Sequence, residues 1–169
     1  MDRVLIVGCG GAGKTTMARR LASITGLPLV HLDRVYWRPG WDAMPRDEFR
    51  ATVRGLVAPD RWIIDGNYGG TADLRYPRAD TIIFLDLPRR RYLPAMARRT
   101  LGDLGRDVQA DGCPERIDPV FLRYLWDWPT SGRVRLVEHL RTHGAGAALV
   151  RLRSRAAIEG FLAGVAASR

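Results

Sequence analysis

The segment Val4-Leu5-Ile6-Val7-Gly8-Cys9-Gly10-Gly11-Ala12-Gly13-Lys14-Thr15 carries the clearest structural signal in this sequence. Its apolar first third predicts a short buried strand, and a helix-like stretch follows from Lys14 to about Ile24. The residues from Gly8 to Thr15 satisfy the pattern G-x-x-x-x-G-K-[ST] in full. Glycines let backbone N–H groups turn toward a phosphate, and the helix N-terminus adds a partial positive charge. The segment therefore predicts a phosphate-binding loop (P-loop) for a nucleotide.

This motif also assigns a role to each residue type. We expect nucleotide contacts from the loop and the first helical turn, namely Gly8, Gly10, Gly11, Ala12, Gly13, Lys14, Thr15 and Thr16. Lys14 would reach the β- and γ-phosphates of ATP, and the Thr15 hydroxyl would ligate Mg²⁺. Lys14 is the sole lysine among 27 Lys and Arg residues, so a compact ammonium is retained at this one position. We therefore predict ATP and Mg²⁺ as cofactors and Lys14 as a catalytic residue.

Short apolar runs alternate with helix-like stretches along the rest of the chain, which favours β-α units around a parallel sheet. Five runs are predicted as strands: 4–7, 29–32, 62–65, 81–86 and 147–152. Residues 89 to about 143 contain no strand-like run and predict two or three helices. Ser154 is suited to cap the closing helix. The predicted fold class is α/β, a three-layer P-loop NTPase fold.

Length and composition exclude several classes of protein. The 169 residues suit one domain, 46% are hydrophobic and 27% are charged, as in ordinary globular proteins. Two cysteines do not make a disulfide framework, and no apolar run approaches the roughly 18 residues that span a bilayer. We expect a cytoplasmic protein without a membrane partner. The formal net charge of +9 leaves a nucleic-acid partner as an alternative.

Three predicted strands end in an aspartate, namely Asp33, Asp65 and Asp86. The carboxyl ends of parallel strands meet at one edge of the sheet, where ligands bind in such folds. Strand-end aspartates also serve as plain turn and helix-capping residues. On position alone, each of the three therefore has both a functional and a structural interpretation.

Together with the P-loop, four landmarks make nearly the whole chain resemble the DNA topology modulation protein family, which is akin to adenylate kinases. They are His31-Leu32-Asp33-Arg34-Val35-Tyr36-Trp37-Arg38-Pro39-Gly40-Trp41, Trp62-Ile63-Ile64-Asp65-Gly66-Asn67-Tyr68, Leu85-Asp86-Leu87-Pro88 and Gly112-Cys113-Pro114-Glu115-Arg116. The resemblance implies a nucleotide-kinase fold whose five parallel strands have the order 2-3-1-4-5. It also implies a single domain over residues 1–169, with a helical lid-like insertion at approximately residues 100–135.

The resemblance further implies roles for individual residues. Asp65-Gly66 is similar to the Asp-Gly segment of adenylate kinases, which makes Asp65 the preferred Mg²⁺-side acid. Asp33 resembles the strand-2 aspartate of uridine and shikimate kinases, which orients or deprotonates an acceptor hydroxyl or helps to hold Mg²⁺. Asp86 resembles a mainly structural strand end. Arg98 and Arg99 lie where lid arginines would neutralise charge on the transferring phosphoryl group.

The chain departs from adenylate kinases directly after Asp65-Gly66. It continues Asn67-Tyr68-Gly69, where adenylate kinases have Phe-Pro-Arg, so the arginine that grips an acceptor phosphate is missing. Arg34, Arg38 or Arg75 could substitute for it.

For the remaining aromatic residues and the histidines, the sequence either allows two interpretations or favours a structural one. Tyr36, Trp37 and Trp41 could stack on a planar acceptor or form a local core. His31, His139 and His143 lack metal-ligand spacing, and we interpret all three as structural. Trp126 and Trp128 are predicted to lie in the core.

Two functions follow from these observations. The first is a Mg²⁺-dependent kinase that transfers the γ-phosphoryl group of ATP to a small acceptor. The second is a nucleic-acid-binding protein that uses the nucleotide as a switch, suggested by the net charge and the family name. The first is favoured, because the arginines are dispersed and no DNA-reading motif is present. The acceptor's identity, the choice between ATP and GTP, and the oligomeric state remain open.

Overall fold

The computed structural model describes residues 1–168. Its strands are β1 (Arg3–Gly8), β2 (Leu29–His31), β3 (Trp37–Arg38), β4 (Asp42–Ala43), β5 (Trp62–Asp65), β6 (Thr81–Leu85) and β7 (Ala148–Leu152). Its α-helices are α1 (Lys14–Thr25), α2 (Leu32–Tyr36), α3 (Arg46–Leu56), α4 (Ala72–Arg75), α5 (Arg89–Gly102), α6 (Pro119–Asp127), α7 (Gly132–His143) and α8 (Arg155–Ala167). Two short 3₁₀ turns, Gly69–Thr71 and Tyr76–Arg78, flank α4.

Five strands form one parallel sheet in the order β2-β5-β1-β6-β7. The strands β3 and β4 form a separate antiparallel hairpin. Counted over the five sheet strands alone, this is the predicted order 2-3-1-4-5. The central strands β1 and β6 are buried on both faces, which explains why the sequence shows them as continuous apolar runs.

The helices cover the sheet on two sides. The connection from β1 to β2 crosses the sheet in one direction, and the later connections return in the other. Right-handed crossovers therefore place α1 and α3 on opposite faces. On one face α1 contacts α8, and on the other α4 contacts both α3 and α7. The predicted three-layer α/β architecture is confirmed.

Local sequence explains features of helices α1 and α8. Met17, Ala18 and Leu21 form one buried stripe on α1, as helical spacing requires. The Ser154 hydroxyl accepts a hydrogen bond of 3.1 Å from the Ala157 N–H, which confirms the predicted cap of α8.

No helix among residues 1–168 is both long enough and apolar enough to cross a membrane.

The structure adds detail in two regions. After β2 the chain forms the one-and-a-half-turn helix α2, which begins at Leu32 inside the predicted strand 29–32, and then the β3–β4 hairpin. Residues 89–143 form three helices, and the loop between α5 and α6 contains two isolated bridges, Leu104 to Glu115 and Asp107 to Pro114. Trp128 is buried as predicted, but Trp126 is 58% exposed, so its assignment to the core was wrong.

Candidate active site

The P-loop connects the buried end of β1 to the first turn of α1. Gly13 has the left-handed backbone conformation, with φ of 90°, which glycine adopts without a steric cost. A Cβ atom at Gly8 would lie 2.5 Å from the Leu85 carbonyl oxygen, so the loop starts in tight contact with β6. Both positions therefore require glycine, as the motif predicts.

Lys14 folds back over its own loop. Its Nζ donates a hydrogen bond of 3.1 Å to the Cys9 carbonyl oxygen. Burial raises the pKa of the Cys9 thiol to about 12, despite the nearby Lys14 ammonium. Cys9 therefore stays a neutral thiol at physiological pH.

Asp65 connects the P-loop to β2. Its Oδ2 accepts a hydrogen bond of 2.9 Å from the Thr15 hydroxyl and lies 3.1 Å from His31 Nδ1. Its Oδ1 is buried and has no hydrogen-bond partner among residues 1–168. A buried carboxylate oxygen without a partner is costly, so Asp65 is an unusually strong candidate for contact with a cation.

His31 is the residue of this group that sequence reasoning assigned to a merely structural role. In the parallel pairing of β2 with β5, His31 lies directly beside Asp65, and Ile6 of β1 lies on the other side of Asp65. The signal available in the sequence was positional, because His31 and Asp65 are each the last residue of a short predicted strand or next to it. Only the register shows that the two side chains meet.

Asn67 fixes the loop after β5 to the start of the P-loop. Its side-chain Oδ1 accepts a hydrogen bond of 2.9 Å from the Gly8 N–H, and its Nδ2 donates one of 2.8 Å to the Gly8 carbonyl. The Asn67 amide thus satisfies both polar backbone groups of one P-loop residue. This pair of bonds sets the distance between the P-loop and the next residue, Tyr68.

Tyr68 holds the second candidate aspartate. Its hydroxyl donates a hydrogen bond of 2.6 Å to Asp33 Oδ1, in the first turn of α2. Burial and the Asp33 carboxylate both raise the pKa of Tyr68 above its ordinary value, so its hydroxyl remains a donor. The Tyr68 backbone has a φ of 29°, which is uncommon for a residue with a side chain. Asp33 is therefore held in place by a neighbour that is itself constrained.

Arg75 maintains this constrained loop, and it is not available to an acceptor phosphate. Its guanidinium is fully buried and donates to the carbonyls of Gly66, Asn67 and Tyr68 and to the Thr71 hydroxyl. Burial lowers the pKa of Arg75 to about 10, so it is still charged at neutral pH. The expectation that Arg75 could bind an acceptor phosphate is wrong, because all of these donors hold backbone or Thr71.

The aromatic residues beyond β2 pack mainly against one another. Tyr36 contacts Trp37, Phe49 and Tyr68 with ring centroids 4.9 Å apart in each case. Trp37 also meets Trp41 at 5.4 Å. The cluster is half-buried, so it is a local core with one exposed side.

The remaining candidate arginines differ in their surroundings. Arg38 forms an exposed ion pair with Glu48 at 2.6 Å. Arg34 and Arg98 are exposed and have no hydrogen-bond or ion-pair partner within residues 1–168. Arg99 donates a 3.2 Å hydrogen bond to Glu115 instead of pointing freely at the P-loop.

Glu115 organises the loop between α5 and α6. Its buried carboxylate accepts hydrogen bonds from Arg99, from the Thr100 hydroxyl at 3.0 Å and from the Gln109 amide at 3.0 Å. The loop is in turn joined to the β3–β4 hairpin, because Gly40 N–H donates to the Gly112 carbonyl at 2.7 Å. The loop and the β3–β4 hairpin are thus directly connected.

Asp86 has the structural role that its sequence context suggests. It accepts hydrogen bonds from Arg133, with Nε 2.8 Å from Oδ1, and from Arg151, with Nε 2.8 Å from Oδ2. Burial alone would raise the pKa of Asp86, but these two arginines hold it below its ordinary value. Asp86 ties the end of β6 to α7 and β7.

A cavity of about 250 Å³ lies beside the P-loop, on the side away from Asp33. Its lining includes Gly11 and Thr16 of the P-loop region, Arg91 and Ala95 of α5, and Arg155 at the start of α8. The cavity is continuous with the phosphate-binding loop, so it is placed where the base of a bound nucleotide could lie.

Comparisons with known proteins support the fold. The similarity in structure extends over most of the chain, whereas the similarity in sequence does not. A family model described as isopentenyl transferase matches residues 1–41, which contain β1, the P-loop, α1 and β2. A search of curated proteins finds no relative that matches in sequence.

Among solved structures, a shikimate kinase from Acinetobacter baumannii in complex with shikimate is similar with a TM-score of 0.66 and 16% identity, over 98% of this chain and 90% of that one. A sugar kinase from Janibacter sp. HTCC2649 gives 0.57 and 15%, over 99% and 91% of the two chains. A gluconokinase from Sinorhizobium meliloti 1021 gives 0.51 and 14%, over 99% and 93%. The chain therefore has the fold of these P-loop kinases.

Proposed function

We propose that this chain is a Mg²⁺-dependent P-loop kinase that transfers the γ-phosphoryl group of ATP to a hydroxyl group of a small acceptor. The observation that carries this proposal is a pair of carboxylates in different settings at one edge of the sheet. Asp65 is hydrogen-bonded to the P-loop residue Thr15, and Asp33 is held by Tyr68. Through Asn67, the loop that carries Tyr68 is bonded directly to the P-loop.

The nucleotide side of the site consists of the P-loop residues Gly8, Gly10, Gly11, Ala12, Gly13, Lys14, Thr15 and Thr16. Backbone N–H groups of the loop and the N-terminus of α1 would receive the phosphates. Lys14 would exchange its bond to the Cys9 carbonyl for a phosphate oxygen. The base would occupy the cavity beside Arg91 and Arg155.

Thr15 and Asp65 fit a Mg²⁺ ion. Mg²⁺ prefers oxygen ligands and is commonly held by one or two protein groups together with substrate phosphates. Residues 1–168 contain no cluster of three or more His, Cys, Asp or Glu side chains suited to a metal, which agrees with such a shared site. The unpartnered Asp65 Oδ1 supplies the carboxylate oxygen. When bound, Mg²⁺ would neutralise charge on the phosphate oxygens.

Asp33 would act on the acceptor. Its carboxylate holds the acceptor hydroxyl in line and takes its proton as the oxygen forms a bond to the γ-phosphorus. The bond from that phosphorus to the β–γ bridging oxygen breaks, and ADP leaves. Tyr68 donates to Asp33 and so fixes the carboxylate in the direction of the acceptor. The half-buried aromatic cluster forms the adjacent wall of the acceptor site.

The region at approximately residues 100–135 would act as the lid of this single domain. Helix α6 already lies against the P-loop, because a Cβ at Gly10 would be within 3 Å of Phe121 and Leu125. Closure would exclude water that would otherwise hydrolyse ATP. Arg98 and Arg99 would then stabilise charge on the transferring group, Arg99 after exchanging its bond to Glu115.

We also infer that the chain belongs to the DNA topology modulation proteins. This is supported by the position of the family landmarks, since His31, Asp33, Asp65 and Tyr68 all surround one site. A nucleic-acid partner is less well supported. Several exposed arginines are neutralised in ion pairs, such as Arg20 with Glu159 and Arg141 with Glu138.

The test is consumption of ATP with Mg²⁺ by the wild-type protein and by Lys14→Ala, against nucleosides, nucleoside monophosphates and small hydroxylated metabolites. We expect one class of acceptor to stimulate turnover and the stimulation to vanish in Lys14→Ala. Tight binding of ATP without stimulation by any acceptor would contradict the kinase proposal for these compounds. That result would instead favour a nucleotide switch, for which salt-dependent DNA binding is the test.

A further inference from the structure

A second, larger cavity lies at the carboxyl end of β6, on the other side of Leu87 from the proposed nucleotide site. Its volume is about 460 Å³, within the roughly 300–1,000 Å³ range of small-molecule sites. Leu87 lines both cavities and separates them. None of the P-loop residues lines the larger cavity, so the kinase proposal leaves it without a role.

The floor of this cavity is aromatic and rigid. Tyr92 of α5 is fully buried and Trp128 is 3% exposed. The Tyr92 hydroxyl donates a hydrogen bond of 3.0 Å to the Leu125 carbonyl, which fixes the ring. Leu87, Pro88 and Pro129 also line the cavity, so much of its lining is apolar.

The rim of the cavity carries an excess of positive charge. Asp86 is shared between Arg133 and Arg151, so one carboxylate faces two guanidinium groups. Arg153 lines the cavity, is exposed, and has no hydrogen-bond or ion-pair partner in the part of the chain that the structure describes. Arg89 adds a further positive charge to the lining.

Arg89 is held in position but lacks one partner. Its Nη2 donates a hydrogen bond of 2.7 Å to the Trp126 carbonyl, and its guanidinium lies 4.5 Å from the centre of the Trp126 ring. Its Nε is buried without an acceptor within residues 1–168. A buried donor without an acceptor is costly. The unpartnered Arg89 Nε therefore indicates that the cavity can receive an anion.

From this combination we propose that the cavity between Arg89, Arg153, Tyr92 and Trp128 binds an organic anion in which a phosphate or carboxylate group is attached to an apolar group. The arginines bind the anionic group, and the apolar lining, which includes Pro88 and Pro129, contacts the rest of the ligand. This site is separate from the P-loop. Because α5 contributes Arg89 to this cavity and Arg91 to the nucleotide cavity, both ligands would contact the same helix.

The proposal is tested by calorimetric titration of the full chain with phenyl phosphate, inorganic phosphate and phenol. We expect phenyl phosphate to bind more tightly than either of the other two. Its Kd is expected to be the same, within about twofold, in Lys14→Ala, because the site does not use the P-loop. Arg153→Ala and Arg89→Gln are each expected to weaken binding by roughly tenfold or more, through loss of a charge-assisted hydrogen bond.

The matched control is Arg54→Ala, which removes an exposed arginine from α3 and leaves the cavity intact. Binding that falls equally in Arg54→Ala would reflect net charge alone and would overturn the proposal. So would loss of binding in Lys14→Ala, or displacement of phenyl phosphate by ATP in the wild-type protein. Arg153 is exposed, so its variant is expected to keep the wild-type Tm, which separates loss of binding from loss of folding.

Discussion

Asn67 joins the loop that carries Tyr68 to the P-loop. Its amide uses both its oxygen and its nitrogen on the backbone of Gly8. Its neighbour Tyr68 contacts Asp33. A shift of Asn67 would therefore displace the P-loop relative to the acceptor side. In the comparison with adenylate kinases, Asn67 stands where they have phenylalanine, and the structure shows that the asparagine binds the P-loop backbone.

Asn67→Ala is expected to weaken ATP binding and to lower the free energy of unfolding by about 1–3 kcal/mol, because it leaves a buried N–H and a buried carbonyl of Gly8 without partners. Calorimetry with ATP and urea unfolding measure the two effects. The control is Gln109→Ala, which removes an amide bonded to Glu115 and should leave the Kd for ATP unchanged. Equal Kd values in wild type and Asn67→Ala would show that the bridge does not shape the P-loop.

Among the elements of the fold, the loop between β5 and α4 is the one that holds Tyr68 in its uncommon conformation. Arg75 at the end of α4 donates to three consecutive carbonyls of this loop. These bonds stabilise the uncommon backbone conformation of Tyr68. Among residues 1–168 no carboxylate forms an ion pair with Arg75, and its hydrogen bonds go to the loop carbonyls and to Thr71.

Arg75→Met is expected to lower the free energy of unfolding by about 3 kcal/mol or more, since it leaves the carbonyls of Gly66, Asn67 and Tyr68 without donors. Urea unfolding of the variant measures this. Arg78→Met is the matched control, because Arg78 lies one turn later and makes longer bonds of 3.2–3.3 Å to Val57 and Ala58 at the surface. If both variants lose the same stability, Arg75 has no special role in holding the loop.

At the scale of the whole molecule, much of the architecture was predictable from the sequence. Buried parallel strands are continuous apolar runs, and β1, β5 and β6 are such runs. The P-loop pattern placed the turn into α1. What the sequence did not reveal depends on contacts between distant residues. The pairing of His31 with Asp65 requires the register of β2 on β5.

The dependence on contacts between distant residues also explains the sequence-based predictions that were wrong. Arg75 looks like any other arginine in sequence, and only its burial removes it from the acceptor site. Trp126 and Trp128 are two residues apart on or next to α6, and the tertiary packing buries only Trp128. Helix α2 and the β3–β4 hairpin are short, and their aromatic and glycine-rich sequence is equally typical of turns.

Acid should weaken the fold through carboxylates that the folded state keeps ionised. Asp80 accepts N–H bonds from Asp2 and Arg3 at 2.9 and 2.8 Å. Although burial opposes them, these bonds lower the pKa of Asp80 below 3.8. A carboxyl group whose pKa is lower in the folded state stabilises the fold above its unfolded pKa, and this stabilisation is lost as pH falls through the folded value.

The difference in the free energy of unfolding between wild type and Asp80→Asn is therefore expected to be constant from pH 7 to about pH 5 and to shrink below about pH 4. Urea unfolding across this range measures it. Asp60→Asn, at a side chain that is 93% exposed, is the control and should show little difference at any pH. A difference between wild type and Asp80→Asn that grows on acidification would contradict this sign.

In the proposed kinase, Lys14 acts on the nucleotide and Asp33 acts on the acceptor hydroxyl, and one comparison of variants separates these two roles. The Kd for ATP and the acceptor-dependent kcat are measured for wild type, Lys14→Ala and Asp33→Asn with Mg²⁺. We predict that both variants lose about 10²-fold or more in kcat, and that Asp33→Asn keeps the Kd for ATP within about twofold. Wild-type turnover in Asp33→Asn, or a loss of ATP affinity equal to that of Lys14→Ala, would contradict the account.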